Sequence, residues 1–349
     1  MPHWPYQATA PTPFRLRPVK AINGRAVRRA MKKAITVAVL GQPEVAKQLG
    51  KKSTESDITL YDLREGNADL TLMTATRYPE KPQSLSYVVQ QADAALLVIE
   101  ALTREIGEQI LALDAAGVNQ GLIVLRNYIQ PEQVQPLLKG TTLENYAFFP
   151  DDLVKLRLRL GEFESRAKEG ATRVPIDQHF NVKGVGVVVL GTVKGGPIKK
   201  HDNLRAFPAE KSALVRSIQV HDVDVDTAHY GERVGLALKN IEVEDLDRGF
   251  VLAPDGSMEI VPANGTIKAR VRVTKFFKAG VKPDAVYFLG LGMQFTGLRA
   301  SATAAAIPAG GAGEVEFTLQ KSLAFEKGQR AVLWNLDDKV QRVVGSVEF

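Results

Sequence analysis

Eight lysines and arginines crowd the first 33 residues (Arg15, Arg17, Lys20, Arg25, Arg28, Arg29, Lys32 and Lys33), with no acidic residue among them. Cations at that density can grip a polyanion by displacing its counterions. Pro2, Pro5, Pro11, Pro13 and Pro18 interrupt the same stretch and oppose regular packing, so residues 1–30 read as a basic, unstructured arm. The alternative is that Met31, just ahead of the first apolar run, is the natural start and the arm is no part of the native protein. Beyond the arm, residues 34–349 hold 37 basic and 39 acidic residues, a net of −2, so a grip on RNA elsewhere needs a local patch. The absence of cysteine excludes disulfides, thiolate metal sites and a cysteine nucleophile. His3, His179, His201 and His229 lack metal-ligand spacing, and no metal site is expected.

The elements that must carry any chemistry divide the chain in three. A length of 349 residues exceeds one ordinary core. Ile35 to Leu40 is a branched apolar run suited to a strand buried on both faces; Gly41 ends it, and Glu44 to Leu49 reads as a helix stopped by Gly50. Leu70 to Met73, Ala94 to Ile99 and Leu122 to Leu125 are further strand runs, with Leu102 to Ala116 and Asp151 to Leu160 as helices. Alternation of this kind implies parallel βαβ units. From Val174 the texture becomes short branched runs punctuated by Gly, Pro and Asp, as in all-β barrels. Examples are Val185 to Leu190, Val215 to Val220, Arg233 to Leu238, Ile267 to Val273 and Glu314 to Leu319, with a turn at Asp255-Gly256 between two sets. The expected organisation is an arm (1–30), an α/β domain (31–170) and two β-barrels (171–256 and 257–349). No apolar run approaches the ~20 residues of a membrane-spanning helix, and no secretory h-region follows the N-terminal charges, so a cytoplasmic protein is expected.

The first barrel carries ordered blocks: Phe180-Asn181-Val182-Lys183-Gly184-Val185-Gly186-Val187-Val188-Val189-Leu190-Gly191, Val215-Arg216-Ser217-Ile218-Gln219-Val220-His221, Gly231-Glu232-Arg233-Val234-Gly235-Leu236-Ala237-Leu238 and Asp245-Leu246-Asp247-Arg248-Gly249-Phe250-Val251-Leu252. These closely resemble domain two of the translational GTPases, the family of elongation factor Tu, the selenocysteine-specific elongation factor and the gamma subunit of initiation factor 2. Lys321-Ser322-Leu323-Ala324-Phe325-Glu326-Lys327-Gly328-Gln329-Arg330 is similar to that family's third domain. The resemblance implies a GTPase-like, parallel-sheet α/β domain followed by two β-barrels.

It also implies motifs that can be compared position by position. The family's phosphate loop, G-x-x-x-x-G-K-[ST], falls on Gly41 to Gln48: Gly41 and Lys47 are kept, Ala46 replaces the second glycine and Gln48 the magnesium-holding hydroxyl. The family's D-x-P-G-H falls on Arg77-Tyr78-Pro79-Glu80-Lys81, without the metal-holding aspartate or the histidine. The guanine-reading N-K-x-D falls either on Arg126-Asn127-Tyr128-Ile129, with no carboxylate, or on Asn127-Tyr128-Ile129-Gln130, with Gln130 where the carboxylate belongs. Only Ser56 to Leu60 answers to the first switch, too close to Lys47 for a long loop. The implied cofactor is GTP or GDP held weakly through Gly41, Lys47 and Asn127, with no Mg²⁺ holder and no catalytic residue. The implied partners are aminoacyl-tRNA, through Gln219, His221, Asp222 and Arg233, and the ribosome, with no membrane. Two other functions stay open: a working GTPase elongation factor with unusual motifs, and a non-catalytic ribosome or protein adaptor.

Overall fold

The computed structural model describes residues 33–166 and 170–349, so the expectation for the basic arm lies outside the described residues, Lys33 excepted. The first module is a seven-stranded sheet with helices on both faces. In chain order it comprises β1 (Lys33–Leu40), α1 (Glu44–Leu49), β2 (Lys51–Glu55), β3 (Thr59–Glu65), β4 (Ala68–Thr74), α2 (Pro82–Gln91), β5 (Ala94–Ile99), α3 (Arg104–Ala116), β6 (Gly121–Leu125), α4 (Pro131–Leu138), β7 (Ala147–Phe148) and α5 (Leu153–Glu162). The sheet order is β2-β3-β4-β1-β5-β6-β7. Strands β4, β1, β5, β6 and β7 are parallel, and the apolar β1, β4 and β5 are covered on both faces, as their unbroken branched runs require.

The parallel strands agree with the expected GTPase-like sheet, and an antiparallel edge is added to them. Strands β2 and β3 form an antiparallel hairpin at one edge, and β3 is antiparallel to β4. The reason is local. Helix α1 stops after six residues, and the chain turns back through the mostly exposed Lys51–Glu55, whose polar residues carry no buried-strand signal.

Two closed six-stranded barrels follow. In the first, Thr172–Val182, Gly186–Thr192, Arg233–Lys239, Lys211–Val220, Asn203–Phe207 and Val251–Ala253 pair in that order, and the last returns to the first. In the second the ring runs Thr266–Val273, Ala312–Leu319, Gln294–Ala300, Val286–Leu291, Arg330–Trp334 and Val343–Glu348. Closure leaves neither ring an open edge. No helix among the described residues is long and apolar enough to cross a membrane.

The modules are joined by shared core. Met293, Val332, Trp334 and Val343 of the second barrel belong to the same buried cluster as Leu85, Val88 and Val89 of α2 and Ile110, Leu111 and Leu113 of α3. A junction built like a domain interior opposes the relative motion expected of loosely docked modules. Polar contacts reinforce it. Buried Asp93, just before β5, accepts hydrogen bonds from the Thr36 amide at 2.8 Å and from the Tyr230 hydroxyl of the first barrel at 2.8 Å. Arg248 of the first barrel pairs with Asp57 and lies 4.6 Å from the ring centre of Tyr87 on α2.

This wiring has an alkaline consequence. Burial pushes the Tyr87 phenol up to about 12 and also raises those of Tyr78 and Tyr230, which sit at the same junctions. A phenol whose folded pKa exceeds its unfolded value of ~10 contributes its full stability below that pH and loses it as pH rises. The junctions should therefore loosen as pH climbs through about 10 to 12. A titration following tyrosinate absorbance and small-angle scattering together should show ionisation coinciding with expansion; ionisation of these phenols in a still-compact chain would contradict it.

Candidate functional site

At the carboxyl ends of β1, β5, β6 and β7, where a parallel α/β sheet ordinarily receives its ligand, the chain's own groups occupy one another. Strand β1 ends at Leu40, and Gly41 turns with φ 77°; a Cβ there would lie 1.9 Å from the Val98 carbonyl oxygen. The Gly41 amide donates to Oε1 of Gln109 on α3 at 2.8 Å. The Gln42 amide is held by the Leu40 carbonyl, Val45 by Gln42 and Ala46 by Pro43. Pro43 has no amide hydrogen to offer. A phosphate cradle needs such donors free and converging, and those of Gly41, Gln42, Val45 and Ala46 are engaged. Helix α1 also begins only three residues after Gly41, so Lys47 stands one turn inside it and is exposed. Gly41 and Lys47 are thus in the places the sequence assigns them, but a tight turn joins them instead of a wide loop.

The position that answers to the family's guanine-reading motif is similarly self-contained. Arg126 donates to Glu100 at 2.8 Å and to both carboxylate oxygens of Asp151 at 2.8 and 3.0 Å, spanning the loops after β5 and β7. Its hydrogen bonds to Asp151 and then Glu100 hold the guanidinium pKa above its ordinary value. Asn127, at φ 53°, turns its amide onto the Glu100 carbonyl. Gln130 caps α4 in a reciprocal bond pair with Gln133. Tyr128 stands almost wholly in solvent, 97% exposed. Nor is there a long first switch: Ser56 to Ile58 form the short turn between β2 and β3, and Thr59 is buried with its hydroxyl 2.6 Å from that of Thr76.

The segment Arg77 to Lys81 is tied to the second barrel. Arg342 reaches across the junction to Glu108 on α3, Nε to Oε1 at 2.7 Å and Nη2 to Oε2 at 2.8 Å, and its Nη1 donates to the Pro79 carbonyl at 2.9 Å. The Tyr78 hydroxyl donates to Oε2 of the same glutamate at 3.0 Å. Arg77 and Lys81 themselves are exposed.

In the first barrel, His221 and Asp222 form the two-residue turn between Lys211–Val220 and Val223–Val225, with φ of 49° and 62°. Two successive positive φ values are what a tight, correctly twisted hairpin turn demands. The His221 ring faces the sheet domain, Nδ1 3.9 Å from Asp62 and Nε2 3.9 Å from Asp69, while Asp222 is exposed. Gln219, two residues before the turn, donates to Asp224 at 2.9 Å. Arg233 lies deeper, 9% exposed, with Nη1 and Nη2 each donating to one oxygen of equally buried Asp177. Burial alone would lower the Arg233 pKa; the Asp177 carboxylate outweighs it and holds the group above its ordinary value. The partner of Arg233 is thus Asp177 and not Asp222 of the hairpin turn. Gln219, His221 and Asp222 gather at one hairpin end, and Arg233 is set back from them in an ion pair. Sequence reasoning missed Asp177, Asp93, Glu108 and Arg342, each of which acts across a long sequence separation.

The comparisons bear on this geometry. The family model "Elongation factor Tu domain 2" matches residues 186–253. An uncharacterized protein of Methanocaldococcus jannaschii is 34% identical over 313 residues, 89% of this chain and 98% of that one. The selenocysteine-specific elongation factor of the same organism is 26% identical over 271 residues, 71% of this chain but 57% of that protein. The chain belongs to the translational GTPase family. The translation elongation factor SelB of Methanococcus maripaludis, in complex with the GTP analogue GppNHp, shares the fold: TM-score 0.77 at 23% identity, over 92% of this chain and 80% of that one. Its apo form superposes with a TM-score of 0.75. This family member therefore has the sheet domain and both barrels, and it spans a little over half the length of the selenocysteine-specific factor it matches.

Proposed function

We propose that this family member binds aminoacyl-tRNA as an elongation-factor-like protein whose nucleotide switch is closed. The hairpin end of the first barrel would receive the acceptor end, with Gln219, His221 and Asp222 as direct contacts and Arg233 as their buried support. Such groups suit a ribose and an ester-linked amino acid: an amide and an imidazole for hydrogen bonding, and an imidazole face for stacking. The observation that carries the second half is the engagement of the Gly41, Gln42, Val45 and Ala46 amides within the protein. With Ala46 and Gln48 in place of glycine and hydroxyl, these residues do not fit a magnesium-bound triphosphate. Residual GTP or GDP contact would fall to Lys47 and Asn127, and no step of hydrolysis is derived from it. The ribosome is a further proposed partner.

Two measurements test this reading. Charged tRNA should resist ester hydrolysis in the presence of the protein, with protection fading as salt rises and unchanged by GTP. A set of aminoacyl-tRNAs all left unprotected at micromolar protein would dispose of the cargo role. Calorimetry with GTP and Mg²⁺ should show no tight binding, and phosphate release should stay at background. Turnover lost in Lys47→Ala would instead favour a working GTPase.

A further inference from the structure

Where the sheet domain and the two barrels meet, they form a cleft of about 140 Å³. Gln90 of α2 lines it from the sheet domain, Arg173, Lys194 and Tyr230 from the first barrel, Gln329 from the second, and Arg166 from the connection between modules. Three cations thus line one small cleft. The carboxylates beside them are already committed. Asp93 takes the Thr36 amide and the Tyr230 hydroxyl, leaving Lys194 Nζ 3.9 Å away, beyond hydrogen-bond range. Glu326 pairs with Nη1 of Arg173 at 2.7 Å. Lys194 donates to the Gln91 carbonyl at 2.9 Å and keeps only a long ion pair with Asp93. Burial holds its pKa below the ordinary lysine value, and Arg166 and Arg173 push in the same direction against Asp93.

Two donors on the lining residues have no partner among the described residues: Nε of Arg173 and Nε2 of Gln90, both buried. Buried polar atoms in native proteins are satisfied almost without exception, and each orphan calls for a missing partner. Two such donors on residues that line a positively charged cleft favour an acceptor carrying negative charge.

We propose that this three-way junction is a binding site for a small inorganic oxyanion of the phosphate or sulfate class, held by Arg173, Lys194, Arg166 and the Gln90 amide. The lining supports the class: two guanidinium groups and one ammonium group edge the cleft, and a compact oxyanion can accept hydrogen bonds from all three. An anion there bridges groups from both barrels and the sheet domain, so it fastens the junction. The site is separate from the hairpin end proposed for tRNA and does not depend on it.

Thermal unfolding of the full chain in inorganic phosphate or sulfate, against chloride at equal ionic strength, reads the prediction directly. The midpoint should rise saturably by about 2 °C or more, and calorimetry should give one anion per chain. Arg173→Gln should abolish the rise while Arg216→Gln, on the exposed face of the first barrel, keeps it. If Arg173→Gln does not fold, the wild-type titration still decides. Absence of saturable phosphate and sulfate binding means water fills the cleft and overturns the proposal. A short RNA oligonucleotide forms the second arm. Stabilisation by RNA but not by inorganic phosphate would assign the effect to a phosphodiester and overturn it equally.

Discussion

Arg342→Ala should destabilise the chain by about 3–5 kcal/mol, the range for breaking a buried ion pair from one side. Glu108 is 1% exposed and receives two of the arginine's N–H donors, with the Tyr78 hydroxyl as its other partner. Removing the guanidinium strands a carboxylate within the shared core of α2, α3 and the second barrel, and it also frees the Pro79 carbonyl. The double variant Glu108→Leu with Arg342→Met removes both charges and should recover much of the loss, because a buried pair is often no better than apolar residues of like volume. Urea unfolding of the wild type, the single and the double variant checks this. A single variant within about 0.5 kcal/mol of wild type, the range of ordinary surface substitutions, would show that the pair does not staple the modules.

Arg233→Ala is the second large effect, again about 3–5 kcal/mol, since it leaves Asp177 buried and charged without its partner. This matters for reading the cargo site. A tRNA-binding defect in Arg233→Ala would follow from a damaged barrel whether or not the arginine meets a ligand. The informative substitutions are Gln219→Ala and His221→Ala. Gln219 loses one half-exposed hydrogen bond to Asp224, and its change should stay within about 1 kcal/mol of wild type. Both variants should weaken protection of charged tRNA while the far-ultraviolet circular dichroism and unfolding midpoint of the Gln219 variant stay close to wild type. Full protection by both variants would remove the hairpin end from the proposed site.

How much of this was legible before the structure varied with the range of the interaction. Glu44 to Leu49 reads as a helix ended by Gly50, and the helix has those bounds, because propensity and termination are local. The apolar runs at Ile35 to Leu40 and Ala94 to Ile99 announce buried strands for the same reason. The hairpin of β2 and β3 escaped because Lys51–Glu55 is a polar edge strand whose pairing is settled by its neighbour. The candidate site was legible as residue positions and illegible as geometry. The ordered blocks of the first barrel locate Gln219, His221, Asp222 and Arg233, yet nothing local distinguishes the turn residue His221 from the buried Arg233.

By itself the chain determined three things: the strand and helix texture, the succession of one α/β module and two barrels, and kinship with the translational GTPases. Each depends on side-chain period or on motifs contiguous in sequence. Tertiary structure alone decided which charges meet. Asp177 answers Arg233 from 56 residues away, Glu108 answers Arg342 across 234, and the Gly41 amide is taken by Gln109 across 68. Electrostatic partners are selected by distance in space and by burial, and a linear order of residues carries neither until the chain has folded.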